Sequence, residues 1–277
     1  METTAEFRAR VTEALSAIDP DTLDFYEDEF WMIRTSYEFL EYYAEKHRLF
    51  NTAVALPLAR GLHNGTYRKL PIIRNGVAHQ PPYVIHCLTV CKMLADLWLP
   101  ISAEEEDILL AAALCHDMIE DIPFEDGGRE LYTKYHLDQR VYQTVKLVSK
   151  RKDFTLEEEQ AFFRGIKENR LALLIKLSDR GHNVTDLYNM SERKIQEYIG
   201  ETRAYFLPMC DYARLHYPEL DDVTEIMQDQ LICLTKTVEM WAKKHDQIKQ
   251  KMDDKLQELR NENKALRKHL AELREKV

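Results

Sequence analysis

The chain has 277 residues, enough for one large domain or two small ones with a sizeable hydrophobic core. Its formal net charge of −10 excludes general electrostatic attraction to nucleic acid or anionic lipid, so a polyanionic substrate requires a local cationic patch or a metal ion. The scarcity of glycine (8) and proline (9) favours helices joined by short loops over a turn-rich β fold.

The cysteines and the N-terminus indicate the compartment. The five cysteines are an odd number and contain no Cys-x-x-Cys pair, so we expect reduced thiols in a cytoplasmic protein. Charges occur throughout residues 1–19 without an apolar core, so we expect no signal peptide there. No run approaches the roughly 18 uncharged apolar residues that a membrane span needs, so we expect no contact with a membrane.

Apolar residues at spacings of three and four predict a chain of helices. In chain order, these cover residues 3–18, 22–48, 50–63, 83–98, a stretch that opens with a capping box at Ser102 and Glu105 and runs through ILLAAALCHDMIED, then 129–150, 156–168 and 170–190. Residues 64–82 contain three prolines and glycine turns, which predicts an irregular segment. No alternating pattern of useful length occurs, so the sequence predicts an all-α fold.

The last stretch, residues 245–277, has a narrow apolar seam on an otherwise charged helix. Leucines follow one another by three and four residues from Leu256, and Asn263 occupies an a position of the heptad. A single asparagine at such a position fixes the register of parallel two-stranded coiled coils. The segment therefore predicts a homodimer through the C-terminal helix, with a long amphipathic helix that packs on its own domain as the alternative.

A cluster of ionisable residues interrupts the apolar helix that opens at Ser102. His116 and Asp117 directly follow the run ILLAAALC, and Glu120 and Asp121 follow one helical turn later. Burial of such groups without partners is costly, so we expect a cation among them. A lone His-Asp pair is a common coincidence and fits a core histidine equally well, so the prediction depends on residues elsewhere in the chain.

Two further potential ligands stand in otherwise apolar predicted helices, His86 in PPYVIHCLTV and Asp179 in LLIKLSDRGHN. With His116 and Asp117 they make two imidazoles and two carboxylates, a set that suits Mn²⁺, Fe²⁺ or Zn²⁺ and leaves coordination positions open. A metal there would polarise a phosphoryl oxygen and lower the pKa of a bound water. The two acids one turn later would orient or deprotonate that water.

The order of these motifs resembles the HD phosphohydrolase superfamily, and its details resemble the hydrolase domain of the RelA/SpoT alarmone enzymes. HDMIED at 116–121 matches that family's HDxxED, IKLSDRGHN at 175–183 matches its KLADRxHN, and PPYVIH at 81–86 matches its PY-x-x-H. A segment from Glu201 to Pro208 resembles its ET…P segment. The resemblance covers roughly residues 40–215 and implies a helical HD bundle followed by the long C-terminal helix.

The resemblance also implies a role for each matching residue. The ligands of a divalent metal, with Mn²⁺ as our first choice, would be His86, His116, Asp117 and Asp179. The catalytic residues that handle the water would be Glu120 and Asp121. The nucleotide would be held by Arg68, Lys69 and Asn183, with Arg68 stacked on guanine and Lys69 toward the pyrophosphate.

Two departures from the family pattern bear on the substrate. An insertion within 70–80 follows Lys69 and brings a second candidate cation, Arg74. After Asn183 the family usually continues M-R-T-L, whereas this chain places an acid, Asp186, near the expected phosphate-binding wall. The synthetase half of the long family members has no counterpart in this sequence, so we expect a hydrolase-only chain.

We therefore predict an N-terminal helical segment (1–40), an HD metal-dependent phosphohydrolase domain (41–220) and a C-terminal helix with a coiled coil (221–277). The predicted reaction is removal of pyrophosphate from the 3′ position of guanosine tetra- or pentaphosphate. One alternative is an HD enzyme that acts on another nucleotide or on pyrophosphorylated RNA, as an antitoxin to an alarmone-synthetase-like toxin. The other is a non-catalytic dimeric scaffold, against which the complete set of ligands and the Glu120-Asp121 pair argue.

Overall fold

A computed structural model of the protein describes residues 2–25, 31–69, 71–74, 76–151 and 153–274. The helices are α1 (Thr4–Ser16), α2 (Pro20–Leu23), α3 (Trp31–His47), α4 (Phe50–Leu62), α5 (Val84–Ala95), α6 (Ala103–Cys115), α7 (Met118–Asp121), α8 (Glu130–Thr133), α9 (Gln139–Val148), α10 (Leu156–Lys167), α11 (Arg170–Thr185), α12 (Glu192–Glu201), α13 (Leu207–His216) and α14 (Asp221–Arg274). One π-helical turn, Thr202–Phe206, joins α12 to α13, and short 3-10 turns occur at Leu187–Asn189 and Pro218–Leu220. The predicted all-α fold is confirmed.

Residues 64–82, which were predicted to be irregular, contain the two short strands of this otherwise helical fold. Strands β1 (Ile72–Arg74) and β2 (Val77–His79) form an antiparallel hairpin in which Ile72 pairs with His79. The turn between them contains Gly76 at a φ of 77°, a conformation that glycine adopts without steric cost. The sequence analysis did not identify this hairpin, because it lies within the insertion and its three-residue strands are too short to show an alternating pattern.

Helix α6 is the centre of the hydrophobic core. It packs against α4, α5, α9 and α11, and its residues 107–115 are all buried. The predicted capping box starts it, since Ser102 Oγ accepts from the Glu105 amide and the Glu105 carboxylate accepts from the Ser102 amide. Full burial of each leucine in this helix contributes about 1.5–3 kcal/mol to stability. The helix thus holds its C-terminal end, where His116 follows, at a fixed place in the core.

The predicted helix through HDMIED is interrupted at two of the candidate metal ligands, His116 and Asp117. Helix α6 ends at Cys115 and α7 begins at Met118, so His116 and Asp117 form the junction between them. Neighbouring side chains on an uninterrupted helix point about 100° apart. His116 keeps helical backbone angles at the junction (φ −59°, ψ −32°), and the two side chains still converge, with His116 Nε2 3.0 Å from Asp117 Oδ2.

The core extends beyond the predicted central domain. One continuous cluster of buried apolar side chains runs from Ile18 to Leu231, so it includes both the N-terminal region and the start of α14. Helices α2 and α4 touch closely, because a Cβ on Gly61 would lie 2.0 Å from the carbonyl oxygen of Thr22. The division at residues 40 and 220 stays a prediction.

Helix α14 has 54 residues, a length of about 81 Å. Val223, Met227, Leu231, Val238 and Ala242 are buried against the body of the protein, whereas residues 247–267 are all exposed. Among the helices of the described residues, none combines the length and the apolar character needed to cross a membrane.

Candidate active site

Four side chains from two helices and the α6–α7 junction point at one place in the core. His86 lies on α5, Asp179 on α11, and His116 and Asp117 at the junction. His86 Nε2 lies 3.1 Å from His116 Nε2, 3.4 Å from Asp117 Oδ2 and 3.1 Å from Asp179 Oδ1. His116 Nε2 lies 3.0 Å from Asp117 Oδ2 and 3.8 Å from Asp179 Oδ1. All four residues are buried.

These separations fit the edges of a coordination polyhedron. Two ligands at about 2.1 Å from one metal lie about 3.0 Å apart at a right angle and about 3.4 Å apart at the tetrahedral angle. The five measured distances, 3.0–3.8 Å, bracket these values. His86, His116 and Asp179 in particular present three donor atoms within 4.8 Å of one another. The residues present therefore fit a divalent metal of the class that imidazole and carboxylate ligands select.

Hydrogen bonds on the far side of each imidazole leave Nε2 available as a donor atom. His116 Nδ1 lies 2.8 Å from the carbonyl oxygen of Ala113, a contact that requires the proton on Nδ1. His86 Nδ1 lies 2.6 Å from His182 Nδ1, so one of the two must donate to the other. Burial lowers the pKa of His182 to about 3, which keeps its ring neutral and able to accept from His86. Such outer contacts orient metal-binding histidines.

The electrostatics of the cluster favour a positive charge between the carboxylates. Burial disfavours the charged form of His116, but Asp117 and Asp179 outweigh it and raise the pKa of His116 to about 10. Burial also opposes ionisation of the two carboxylates, yet His116 keeps the pKa of Asp117 well below its ordinary value, and Lys176 does the same for Asp179. A proton on His116 and a metal ion therefore compete for one position.

Glu120 and Asp121 lie on α7, one turn after the junction. Glu120 Oε1 accepts a hydrogen bond of 2.6 Å from the backbone amide of Lys150, which fixes the carboxylate. One side of Glu120 reaches solvent, but partial burial of its carboxylate raises its pKa above the ordinary value, while Lys176 and the Lys150 amide lower it. Glu120 and Asp121 line a cavity of about 550 Å³ with Ile119, Ile122, Pro123, Phe124 and Gly127.

Two of the three predicted nucleotide-binding residues, Arg68 and Asn183, contact each other beside the metal ligands. Arg68 Nη2 donates to Asn183 Oδ1 at 3.2 Å and also pairs with the carboxylate of Asp186. Asn183 Nδ2 in turn donates to Asp179 Oδ1 at 2.6 Å. Lys69, next to Arg68, is exposed. The side chain of Arg74, the alternative cation, lies outside the described residues.

Three residues that the sequence analysis gave no role contact the ligands directly. Tyr83 donates to Asp117 Oδ2 at 2.5 Å, and the Arg68 guanidinium lies 5.8 Å from the centre of its ring. Lys176 Nζ lies 3.0 Å from Asp179 Oδ2, and His182 contacts His86. Tyr83 lies in the motif PPYVIH, and Lys176 and His182 lie in IKLSDRGHN. Their positions within the motifs that carry the ligands could therefore have indicated that they lie near the site.

Sequence comparisons show which known proteins this chain resembles. The family model described as HD domain matches residues 83–199. The guanosine-3′,5′-bis(diphosphate) 3′-pyrophosphohydrolase of Haemophilus influenzae is 27% identical over 177 residues, 60% of this chain and 23% of its own. The enzyme of that name from Aquifex aeolicus is 32% identical over 134 residues, 47% and 18% of the two chains. The bifunctional (p)ppGpp synthase/hydrolase SpoT of Escherichia coli is 25% identical over 190 residues, 65% and 24%. The matched regions thus cover less than a quarter of each of these relatives.

Proposed function

We propose that the protein is a metal-dependent phosphohydrolase that removes pyrophosphate from the 3′ position of guanosine tetra- or pentaphosphate, because residues 83–199 match the HD-domain family model and the chain is similar to RelA/SpoT-type hydrolases. The observation that carries the proposal is the convergence of His86, His116, Asp117 and Asp179 at separations that suit one ion. The relatives' names support a free guanosine nucleotide over pyrophosphorylated RNA. A toxin partner and a cytoplasmic location stay predictions.

The reaction would be an attack of water on the phosphorus next to the 3′ oxygen. A new P–O bond forms to the water oxygen, and the bond from phosphorus to the 3′ oxygen breaks. The 3′ oxygen leaves with the bonding electron pair and takes up a proton, so the products are pyrophosphate and a nucleotide with a 3′-hydroxyl. When bound, a divalent ion such as Mn²⁺ would supply charge stabilisation at the phosphoryl oxygens. Glu120, oriented by the Lys150 amide and raised in pKa, would accept the proton of the attacking water.

The remaining residues would bind and orient. Asn183 connects Asp179 to Arg68, so the nucleotide wall and the ligand set are built on the same turn of α11. Lys176 is buried beside Asp179, whose carboxylate outweighs the effect of burial and raises the pKa of Lys176, so it stays protonated and balances the ligand carboxylates. These hydrogen bonds fix the side chains that would bind the metal and the nucleotide, and such fixed orientation favours catalysis by positioning.

The test is incubation with Mn²⁺ and a panel of guanosine and adenosine 3′-pyrophosphates and a 3′-pyrophosphorylated RNA, with product analysis. We expect guanosine nucleotide and pyrophosphate as products. His116→Ala should abolish the reaction, and His216→Ala, an exposed histidine on α13, should not, which excludes a contaminating phosphatase. Cleavage of the RNA alone would establish the alternative substrate, and no cleavage of any substrate would contradict the proposal.

We also propose that α14 forms a parallel coiled coil with a second copy of the chain. Leu256, Leu259 and Leu266 are 47%, 49% and 64% exposed, and residues 247–267 are all exposed. An isolated polar helix of this length with a single apolar seam gains little stability by itself. Asn263 in the seam is the feature that favours two parallel strands. The exposure of residues 247–267 favours this arrangement over a helix that packs along its own domain.

A further inference from the structure

The acid at position 186, where this chain departs from the family pattern, contacts the predicted nucleotide-binding arginine. Asp186 Oδ2 pairs with Arg68 Nη2, the same nitrogen that donates to Asn183. The Arg68 side chain is 13% exposed and that of Asp186 is 30% exposed, so the pair is partly shielded from water. An ion pair in such a place is stronger than one at the open surface.

The position of Asp186 is fixed by the end of a helix. It is the C-cap residue of α11, and its backbone amide donates to the carbonyl oxygens of Asn183 and Val184. A carboxylate at a helix C-terminus faces the negative end of the helix dipole, which is unfavourable unless a cation compensates it. Arg68 is that cation. The pair therefore holds Arg68 in place and also cancels its charge.

This contact reaches the ligand set through one side chain. Asn183 lies in the last turn of α11 and hydrogen-bonds both Arg68 and Asp179. On its other side, Arg68 lies over the ring of Tyr83, whose hydroxyl donates to Asp117. A change in the charge at position 186 thus acts on a wall directly beside the metal ligands, at the place where a nucleotide would approach them.

We propose that Asp186 is a specificity-determining residue, which neutralises Arg68 and so makes this wall of the site select against additional negative charge on a nucleotide. This inference rests on the proposed function for the identity of the substrate. The effect of Asp186 on nucleotide binding does not depend on it. Removal of the carboxylate charge frees an arginine cation beside the nucleotide. The gain in affinity should then increase with the number of phosphates on the ligand.

The test compares Asp186→Asn with the native full-length protein in the presence of Mn²⁺. Guanosine, GDP and GTP serve as probes in equilibrium titrations. We expect about a tenfold decrease in the Kd of GTP, a smaller decrease for GDP and no change for guanosine. Asp186→Glu should behave like the native protein, because it restores the charge. Asp222→Asn, an exposed site on α14, changes the net charge equally and should leave all three Kd values unchanged.

A double-mutant cycle separates a charge effect from a structural one. Arg68→Ala leaves Asp186 without its cation and should weaken GTP binding, and Arg68→Ala with Asp186→Asn should recover part of the loss. On a guanosine 3′-pyrophosphate substrate, Asp186→Asn should lower KM with a smaller change in kcat. If the role of Asp186 were purely structural, Asp186→Asn would instead lower kcat and the melting temperature. Its effect on the Kd values of guanosine, GDP and GTP would then not depend on the number of phosphates.

The two proposals fail in different ways. If the native protein cleaves no nucleotide but the charge series appears in the Kd values, the proposed function is wrong and the role of Asp186 stands. If the native protein cleaves its substrate but Asp186→Asn binds all three probes alike or no better than the native protein, the inference is overturned. Failure of every variant to bind GTP overturns it as well.

Discussion

Glu120 offers the sharpest separation of catalysis from metal binding. Replacement by glutamine keeps a side-chain oxygen that can accept from the Lys150 amide, now 2.6 Å away, so the local structure should be preserved. It removes the group that would accept a proton from water. We expect turnover to fall by about 10²–10⁴-fold, the usual contribution of a positioned base, which corresponds to about 3–5 kcal/mol in the activation barrier.

The pH dependence gives an independent signature. Burial raises the pKa of Glu120 above its ordinary value, although Lys176 and the Lys150 amide oppose the shift. The base is active when deprotonated, so kcat/KM should rise as the pH increases through this raised pKa and level off above it. In Glu120→Gln this rise should disappear, and the remaining slow reaction should lack the corresponding pH-dependent step.

The assay measures Mn²⁺ affinity by calorimetric titration and turnover by product release, on the same preparations. Asp117→Ala should lose both, because it removes one of the four converging donors. Glu120→Gln should bind Mn²⁺ within about threefold of the native protein. Equal loss of Mn²⁺ in the two variants would refute the reasoning, because Glu120 would then be a ligand or a structural group.

Three further outcomes follow from the same structure. Leu259→Glu in the full chain should reduce the mass measured by light scattering from that of a dimer to that of a monomer. Gln257→Glu, at an exposed position on the same helix, should leave the mass unchanged. A monomeric mass for the native protein would contradict the coiled coil. Chelation of the metal should weaken GDP binding by at least about tenfold, measured by titration, and unchanged affinity would show that the ion contributes no binding charge. Gly61→Ala should lower the free energy of unfolding, followed in thermal melts, by about 1–3 kcal/mol, because the added Cβ would meet the backbone of Thr22. Gly200→Ala, whose Cβ would meet no atom within 4 Å, should be neutral or slightly stabilising.

The helical fold was predictable because the apolar positions recur with helical spacing and the capping box at Ser102 marks where α6 begins. The candidate ligands were identifiable because each ionisable side chain interrupts an apolar run, and burial in such a run requires partners. The hairpin at 72–79 was missed because its strands have only three residues each. The break between α6 and α7 was missed because helical spacing is undisturbed across it.

The contacts around the ligands depend on packing between distant helices, which the sequence does not encode locally. His182 lies 96 residues from His86 along the chain, and Arg68 lies 118 residues from Asp186. The motif positions of these residues indicated that they belong near the site, but not which atoms they touch. The acid at 186 could be recognised as a departure from the family pattern, whereas its partner could be identified only once α11 was placed against the segment that carries Arg68.

Four described cations near the site are matched to carboxylates. Lys176 contacts Asp179, Arg68 pairs with Asp186, and Arg180 pairs with Glu201. Lys150 contacts Glu159 and Glu201, so it belongs to the same network. Among the described residues these pairs hold the side chains in place and balance much of the positive charge near the site, in a chain of net charge −10, while Lys69 stays exposed beside Arg68. A bound dication would therefore supply most of the charge that attracts the substrate, and the surrounding pairs would determine its orientation and which nucleotide fits.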